Sequence, residues 1–134
     1  LIRQKVIAGI DRLEEPKEGK KFLLFLPAGE HHEICLLMAQ YLLKKRGAKV
    51  YYLGQNLPEK DIETAVLTVS PDAVLTFMID PAVINNARSI VERLVSISPN
   101  IEVLLACRPS PEIANLATGN VHFLHGMEDI YNYL

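Results

Sequence analysis

Short apolar runs alternate along the chain with longer amphipathic segments, which is the pattern of an α/β domain. The apolar runs predict strands over 21–26, 49–53, 73–77, 101–106 and 121–124. Apolar positions at intervals of three and four predict helices over 31–46, from Pro58, from Pro81, near Pro111 and after the last strand. Three strands are almost continuously apolar, as in sheets covered on both faces. The pattern predicts an open, doubly wound, flavodoxin-like (Rossmann-like) parallel sheet of five strands in the order 2-1-3-4-5.

A separate helical pattern precedes the first predicted strand. Its apolar stripe repeats at helical spacing over Ile2, Val6, Ile10 and Leu13. Residues 14–20 are charged and contain Pro and Gly, which is typical of a linker. Because Leu1 already lies within the helical pattern, we expect this chain to be the C-terminal piece of a longer protein, divided into residues 1–20 and an α/β domain over 21–134.

Composition narrows the classes of partner. The chain has 134 residues, 49% of them hydrophobic and 22% charged, which fits one soluble domain. The formal net charge of -2, with scattered Lys and Arg, disfavours nucleic-acid binding by this segment. No apolar run approaches the roughly 18 residues of a membrane span. Cys35 and Cys107 are far apart and indicate no disulfide framework, so we expect a cytoplasmic, reducing location.

The loop after the first strand contains the most closely spaced set of side chains that could bind a ligand. In a parallel sheet of this type, ligands bind beyond the carboxyl ends of the strands. Four loops meet there, at 27–32, 54–57, 78–81 and 107–111, and the first contains two histidines and two carboxylates at 30–33. A histidine beside a carboxylate able to set its tautomer indicates a metal-centred ligand. The function is therefore expected to depend on what His32 contacts.

Other sites were weighed against this hypothesis. A dinucleotide fingerprint needs three spaced glycines after the first strand, and only Gly29 is present. A P-loop and the aspartates of a phospho-accepting domain are also missing from the expected positions. A zinc site could draw on His31, His32, Glu33 and Cys35, but their spacing matches no strong zinc pattern. Cys35 lies among apolar neighbours, which favours a small buried hydrophobe over a catalytic thiol.

The same loop resembles a known motif. It is similar to the Asp-x-His-x-x-Gly motif of cobalamin-binding domains, and more closely to the Glu-x-His-Glu-x-Gly variant of MerR-type transcriptional regulators, over Glu30-His31-His32-Glu33-Ile34-Cys35. The resemblance extends over 22–30, 41–47 and 50–58. Residues 1–5 resemble the last helix of the helical-bundle cap of these regulators. The resemblance implies a truncated cap helix with a linker over 1–20 and a cobalamin-binding-like domain over 21–134.

The resemblance assigns roles to individual residues. It implies that His32 is the lower axial ligand of cobalt, in place of the cofactor's own benzimidazole tail, and that Glu30 hydrogen-bonds the distal ring nitrogen. The tail would pass between the sheet and its first helix. The remaining cofactor-binding positions implied are Cys35 at the motif glycine, Gly54 in the second loop, Thr76 at a strand-three serine, and Ala106 and Cys107 at paired glycines. A turn is the alternative role for Gly54.

Three of these positions carry more atoms than the family pattern. Cys35, Ala106 and Cys107 replace glycines, and overpacking of this kind costs about 1–3 kcal/mol per site. Two interpretations therefore stay open. One is a cobalamin-binding sensor domain of a MerR-type regulator, with adenosylcobalamin or methylcobalamin as ligand. The other is a degenerate domain without cofactor that acts as an oligomerisation or interaction module.

The resemblance also sets expectations for partners. In these regulators a separate N-terminal part binds DNA, so we expect this segment to make no DNA contact itself. A homo-oligomer and no membrane association are expected. We expect no enzymatic activity, because no substrate-binding barrel accompanies the domain and the first helix matches the cap of a regulator.

Overall fold

A computed structural model describes residues 1–16, 18–108, 111–116 and 119–134, without the side chains of 111 and 112. The helices are α1 (Ile2–Asp11), α2 (Glu33–Lys45), α3 (Glu59–Val69), α4 (Pro81–Ile84), α5 (Ala87–Ile97) and α6 (Pro111–Ala114). The strands are β1 (Lys21–Pro27), β2 (Lys49–Leu57), β3 (Ala73–Met78), β4 (Glu102–Cys107) and β5 (Val121–Leu124). A 3₁₀ segment, Met127–Tyr133, follows β5.

The five strands form one parallel sheet in the predicted order β2-β1-β3-β4-β5. Residues 22–27 of β1 and all of β3 are buried, as their apolar sequences predicted. Because every strand runs the same way, the carboxyl ends of β1, β3, β4 and β5 lie at one edge of the sheet. The loops that follow these strands are therefore brought together.

Two apolar layers cover the sheet, and side chains alternate between them along each strand. The α2 layer packs α2 and the 3₁₀ segment on one face, where it includes Leu75 and Phe77 of β3. The α5 layer packs α3 and α5 on the other face, where it includes Val74 and Met78. Each position in a strand therefore belongs to one layer only.

Three elements differ from the sequence-based prediction. Strand β2 extends to Leu57 rather than ending at 53. The helix predicted from Pro81 is two helices, because α4 ends at Ile84 and α5 begins after Asn86, whose backbone is not helical (φ -100°, ψ 0°). The last helix is 3₁₀, as short terminal helices often are. Over the described residues, no helix combines the length and apolarity needed to cross a bilayer.

Helix α1 packs against α2 through polar contacts at both ends. Arg3 pairs with Glu33, and Lys44 Nζ donates to the carbonyl of Ile10 at 3.2 Å. Glu33 and Lys44 therefore lie on the side of α2 that α1 covers. Of the predicted α1 stripe, Ile10 is buried, whereas Ile2 is exposed.

We predict that apolar burial in the layer between α2 and the sheet contributes strongly to stability. Leu24 in β1 is fully buried in this layer. Leu24→Ala should lower the free energy of unfolding by about 2–5 kcal/mol, from lost transfer energy and the cavity left behind. Leu67→Ala, at an exposed position of α3, is the matched control and should change it by less than about 0.5 kcal/mol. Urea denaturation measures both, and equal losses would contradict the prediction.

Candidate functional site

The loop between β1 and α2 holds an imidazole on a buried carboxylate. Glu30 Oε2 contacts Nδ1 of His32, so the predicted pair is present. The Glu30 side chain is fully buried, whereas that of His32 is 48% exposed. Among the described residues, no hydrogen-bond partner faces Nε2 of His32. The pair therefore presents one ring nitrogen outward and holds the other.

The second oxygen of Glu30 is held by another loop. Oε1 accepts the backbone N–H groups of Ile79 at 2.6 Å and Asp80 at 2.9 Å. A carboxylate can only accept hydrogen bonds when ionised, so its contact with His32 favours the proton on Nδ1 and leaves the Nε2 lone pair free. Glu30 is not the N-cap of α2, since His32 precedes the helix and Glu30 bonds to the β3–α4 loop.

A glycine turn directs Glu30 inward. Gly29 has φ +91°, a left-handed conformation, and a Cβ here would come within 3.3 Å of Val83 Cγ2. Its N–H donates to Asn56 Oδ1 at 3.1 Å, which ties the loop to the end of β2. The sequence analysis considered Gly29 only as part of a dinucleotide fingerprint and missed this role. A glycine directly before the motif acid was the available signal.

A cavity of about 320 Å³ opens beside this pair, at the carboxyl ends of β3, β4 and β5. Its lining is mainly apolar, with a few polar groups, and comprises Phe77, Ile79, Ala106, Cys107, Arg108, Leu124, His125, Gly126, Met127 and Ile130. Ile79 belongs both to the cavity and to the histidine–carboxylate site, because it lines the cavity and its N–H donates to Glu30. The cavity is therefore linked to the histidine through Ile79 and Glu30.

Only some of the predicted slot residues reach this cavity. Ala106 and Cys107 line it, as the resemblance implied for the end of the fourth strand. Thr76 does not: it alternates with Leu75 and Phe77 and so faces the α5 layer, where its buried Oγ1 has no hydrogen-bond partner within the described structure. Phe77 occupies the cavity position on β3. A shift of one residue along a strand moves a side chain to the opposite face.

Cys35 and Gly54 also lie outside the cavity lining. Cys35 is in the first turn of α2 and packs, partly buried, against the α2 layer. Gly54 lies in β2 where the pairing with β1 shifts from Leu24–Tyr52 to Phe25–Gly54, and its φ is +94°. This backbone irregularity within the strand accounts for the glycine, which lies in β2 and not in a turn.

The loop after β5 contributes further cavity residues, and it was not among the four loops expected at the carboxyl edge. His125, Gly126 and Met127 all line the cavity. Because β5 is parallel to β4, the loop that follows it also lies at the carboxyl edge of the sheet, and this topology indicates its place at the cavity.

The thiol and metal alternatives gain no support from the geometry. Burial raises the pKa of the Cys107 thiol, which keeps it protonated and disfavours a reactive thiolate. Over the described residues, no group of three or more His, Cys, Asp or Glu side chains could hold a metal ion. A zinc site therefore lacks a complete ligand set in that part of the chain.

No family model matches the chain. The HTH-type transcriptional repressor CarA of Myxococcus xanthus is 31% identical over 113 residues, which cover 84% of this chain and 36% of CarA. The chain thus spans about a third of the length of this relative.

Three solved structures share the fold. A cobalamin-binding protein from Desulfitobacterium hafniense has a TM-score of 0.73 at 19% identity, over 85% of this chain and 57% of that one. The monomethylamine corrinoid protein of Methanosarcina barkeri has a TM-score of 0.77 at 10% identity, over 98% of this chain and 63% of that one. A methanol:cobalamin methyltransferase complex of the same organism has a TM-score of 0.76 at 14% identity, over 91% of this chain and 47% of that one.

These findings agree with the motif that begins at Glu30. The structural likeness establishes the fold, and the alignment with CarA covers most of the chain. This chain is therefore homologous to a segment of the HTH-type transcriptional repressor CarA, and it has the fold of cobalamin- and corrinoid-binding proteins.

Proposed function

We propose that the domain binds cobalamin, with Nε2 of His32 as the lower axial ligand of cobalt, and acts as the sensing part of a transcriptional regulator. One observation carries the proposal: a half-exposed imidazole, held at Nδ1 by a buried carboxylate, adjoins an apolar cavity. CarA is a transcriptional repressor by name, and the similar structures include a cobalamin-binding protein and a corrinoid protein.

The donor set fits a cobalt ligand. Neutral imidazole is the commonest protein ligand of metals, and the nitrogen that binds is set by the hydrogen bond at the other. Here Glu30 occupies Nδ1, so Nε2 of His32 is the nitrogen available. A carboxylate at this position also orients the ring. Because Glu30 is itself held by two backbone N–H groups, the imidazole needs little rearrangement to bind.

The cavity fits the tail that His32 would displace from cobalt. Its volume of about 320 Å³ is at the lower end of the range of small-molecule sites, about 300–1,000 Å³. Its apolar lining suits a benzimidazole base, which is aromatic and largely nonpolar. Ala106 and Cys107 narrow the cavity without closing it. When bound, cobalamin supplies a cobalt centre whose upper ligand can change, and that change is the signal we propose the domain detects.

The regulatory part of the proposal rests on homology. CarA is about three times as long as the aligned segment, so we place DNA binding in a separate part of the protein. The net charge of -2 is consistent with a segment that does not contact DNA itself. We propose that cofactor binding changes self-association of this non-catalytic domain and thereby DNA affinity, in the cytoplasm where such a regulator acts.

A second candidate function is an interaction module without cofactor. Large apolar side chains are exposed at the beginning of α1 and along α2, at Leu1, Ile2, Ile34 and Met38. Apolar side chains exposed close together favour a protein surface that covers them. The retained His32–Glu30 pair favours cofactor binding over this candidate, because an interaction surface does not require it.

Titration with hydroxocobalamin tests the proposed ligand. The wild-type chain should shift the visible spectrum to that of a corrinoid with its benzimidazole displaced by histidine. His32→Ala should abolish the shift, because the coordinating nitrogen is gone. His31→Ala, which removes the adjacent exposed histidine, is the matched control and should leave the shift intact. No shift with the wild-type chain would instead favour the interaction module.

The second prediction concerns the role of Glu30 in setting the tautomer of His32. Glu30→Gln keeps one oxygen to accept from Ile79 and Asp80 but turns an amide N–H₂ donor towards Nδ1. The proton of His32 then moves to Nε2, where it blocks coordination. We expect cobalamin affinity to fall about 10- to 100-fold, as for other partners of metal ligands. Glu33→Gln, whose carboxylate pairs with Arg3, is the control, and an equal loss in both variants would refute this role.

A third prediction tests whether the cavity limits binding. The double variant Ala106→Gly with Cys107→Gly should enlarge the cavity and tighten hydroxocobalamin binding by about tenfold, the equivalent of about 1.4 kcal/mol of relieved crowding. Thr76→Ser, on the opposite face of the sheet, should leave affinity unchanged. Isothermal titration calorimetry measures both. Tighter binding by Thr76→Ser alone would place the tail on the other face.

A further inference from the structure

Two cationic or hydrogen-bonding side chains stand at the rim of the otherwise apolar cavity. Arg108 directly follows β4, and His125 directly follows β5. Ala106 and Leu124 are register partners in these neighbouring strands, so both residues leave the sheet at its carboxyl edge. Both line the cavity, and both are exposed.

Neither side chain is engaged within the described part of the chain. No ion pair or hydrogen bond involves the Arg108 guanidinium or the His125 ring there. The backbone N–H of His125 donates to Asp129 Oδ2 at 2.7 Å, which holds the loop after β5 in place. The guanidinium, with five donors and a permanent charge, is therefore free to bind an anion at the cavity.

The two chemistries of the cavity match one class of ligand. The apolar wall, which includes Phe77, Leu124 and Ile130, suits a flat aromatic base. The rim suits phosphate oxygens, which Arg binds through paired, charge-assisted hydrogen bonds. A molecule that carries both groups a few ångströms apart is an aromatic ribonucleotide with a phosphate.

We propose that Arg108, assisted by His125, binds the phosphodiester of the cofactor's nucleotide tail and makes the domain selective for complete cobalamin over corrinoids that lack the nucleotide. This inference rests on the proposed function, because it presumes that the tail enters the cavity. It assigns to the end of β4 and β5 a specificity role that is separate from cobalt ligation by His32.

The test compares three ligands on the 134-residue chain: hydroxocobalamin, diaquacobinamide, which lacks the nucleotide, and the free dimethylbenzimidazole ribonucleotide. Arg108→Gln should weaken hydroxocobalamin binding about 10- to 100-fold, as expected for the loss of hydrogen bonds to a charged group. It should leave cobinamide affinity unchanged. His125→Ala should also weaken hydroxocobalamin binding, but by a smaller factor than Arg108→Gln.

Arg12→Gln is the matched control, since this exposed arginine follows α1 near the opposite edge of the sheet. Thermal unfolding of Arg108→Gln should match that of the wild type, because the side chain is exposed. A loss of equal factor for cobalamin and cobinamide, or no loss for either, would overturn the inference.

The free nucleotide separates this inference from the proposed function. If the wild type binds neither corrinoid, the proposed function fails. Nucleotide binding that depends on Arg108 would then still support a base-and-phosphate site in the cavity. Absence of nucleotide binding in that case would reject both proposals.

Discussion

The buried carboxylate of Glu30 is the interaction on which the site depends. A carboxylate removed from water is costly unless its oxygens are filled with hydrogen bonds. The donors come from His32 in its own loop and from Ile79 and Asp80 in the loop after β3. Because both loops must be in place to satisfy one side chain, each holds the other. The orientation of the imidazole is therefore set by the backbone of a distant segment, and Gly29 provides the turn that makes this possible.

The site joins two environments that the parallel sheet brings to one edge. The His32–Glu30 pair presents a nitrogen donor in partial contact with water, whereas the nearby cavity is lined mainly by apolar side chains. The 3₁₀ segment closes the cavity through Met127 and Ile130, and Ile130 is fully buried. A ligand that spans both environments needs a metal-binding part and an apolar part, and cobalamin with a displaced tail has both.

Hydrophobic periodicity was sufficient to predict the strand order and five parallel strands. The continuous apolar runs of β1 and β3 indicated strands covered on both faces, and right-handed crossovers leave few topologies for such strands. The motif from Glu30 to His32 was equally local, so their contact could be predicted from sequence. The break between α4 and α5 could not, because the apolar face continues through Val83, Ala87 and Ile90 on both sides of it.

The sequence alone determined the fold, the histidine and its carboxylate, because alternation, helical spacing and the motif are each contained within a few neighbouring residues. Only the tertiary structure decided which side chains share the cavity. Thr76 and Phe77 are adjacent in sequence but face opposite layers, and Arg108 and His125 line one cavity because β4 and β5 are neighbouring strands. Similarly, the N–H groups that anchor Glu30 lie 49 and 50 residues away. Such contacts depend on the register of strands and the path of loops, which a local pattern does not record.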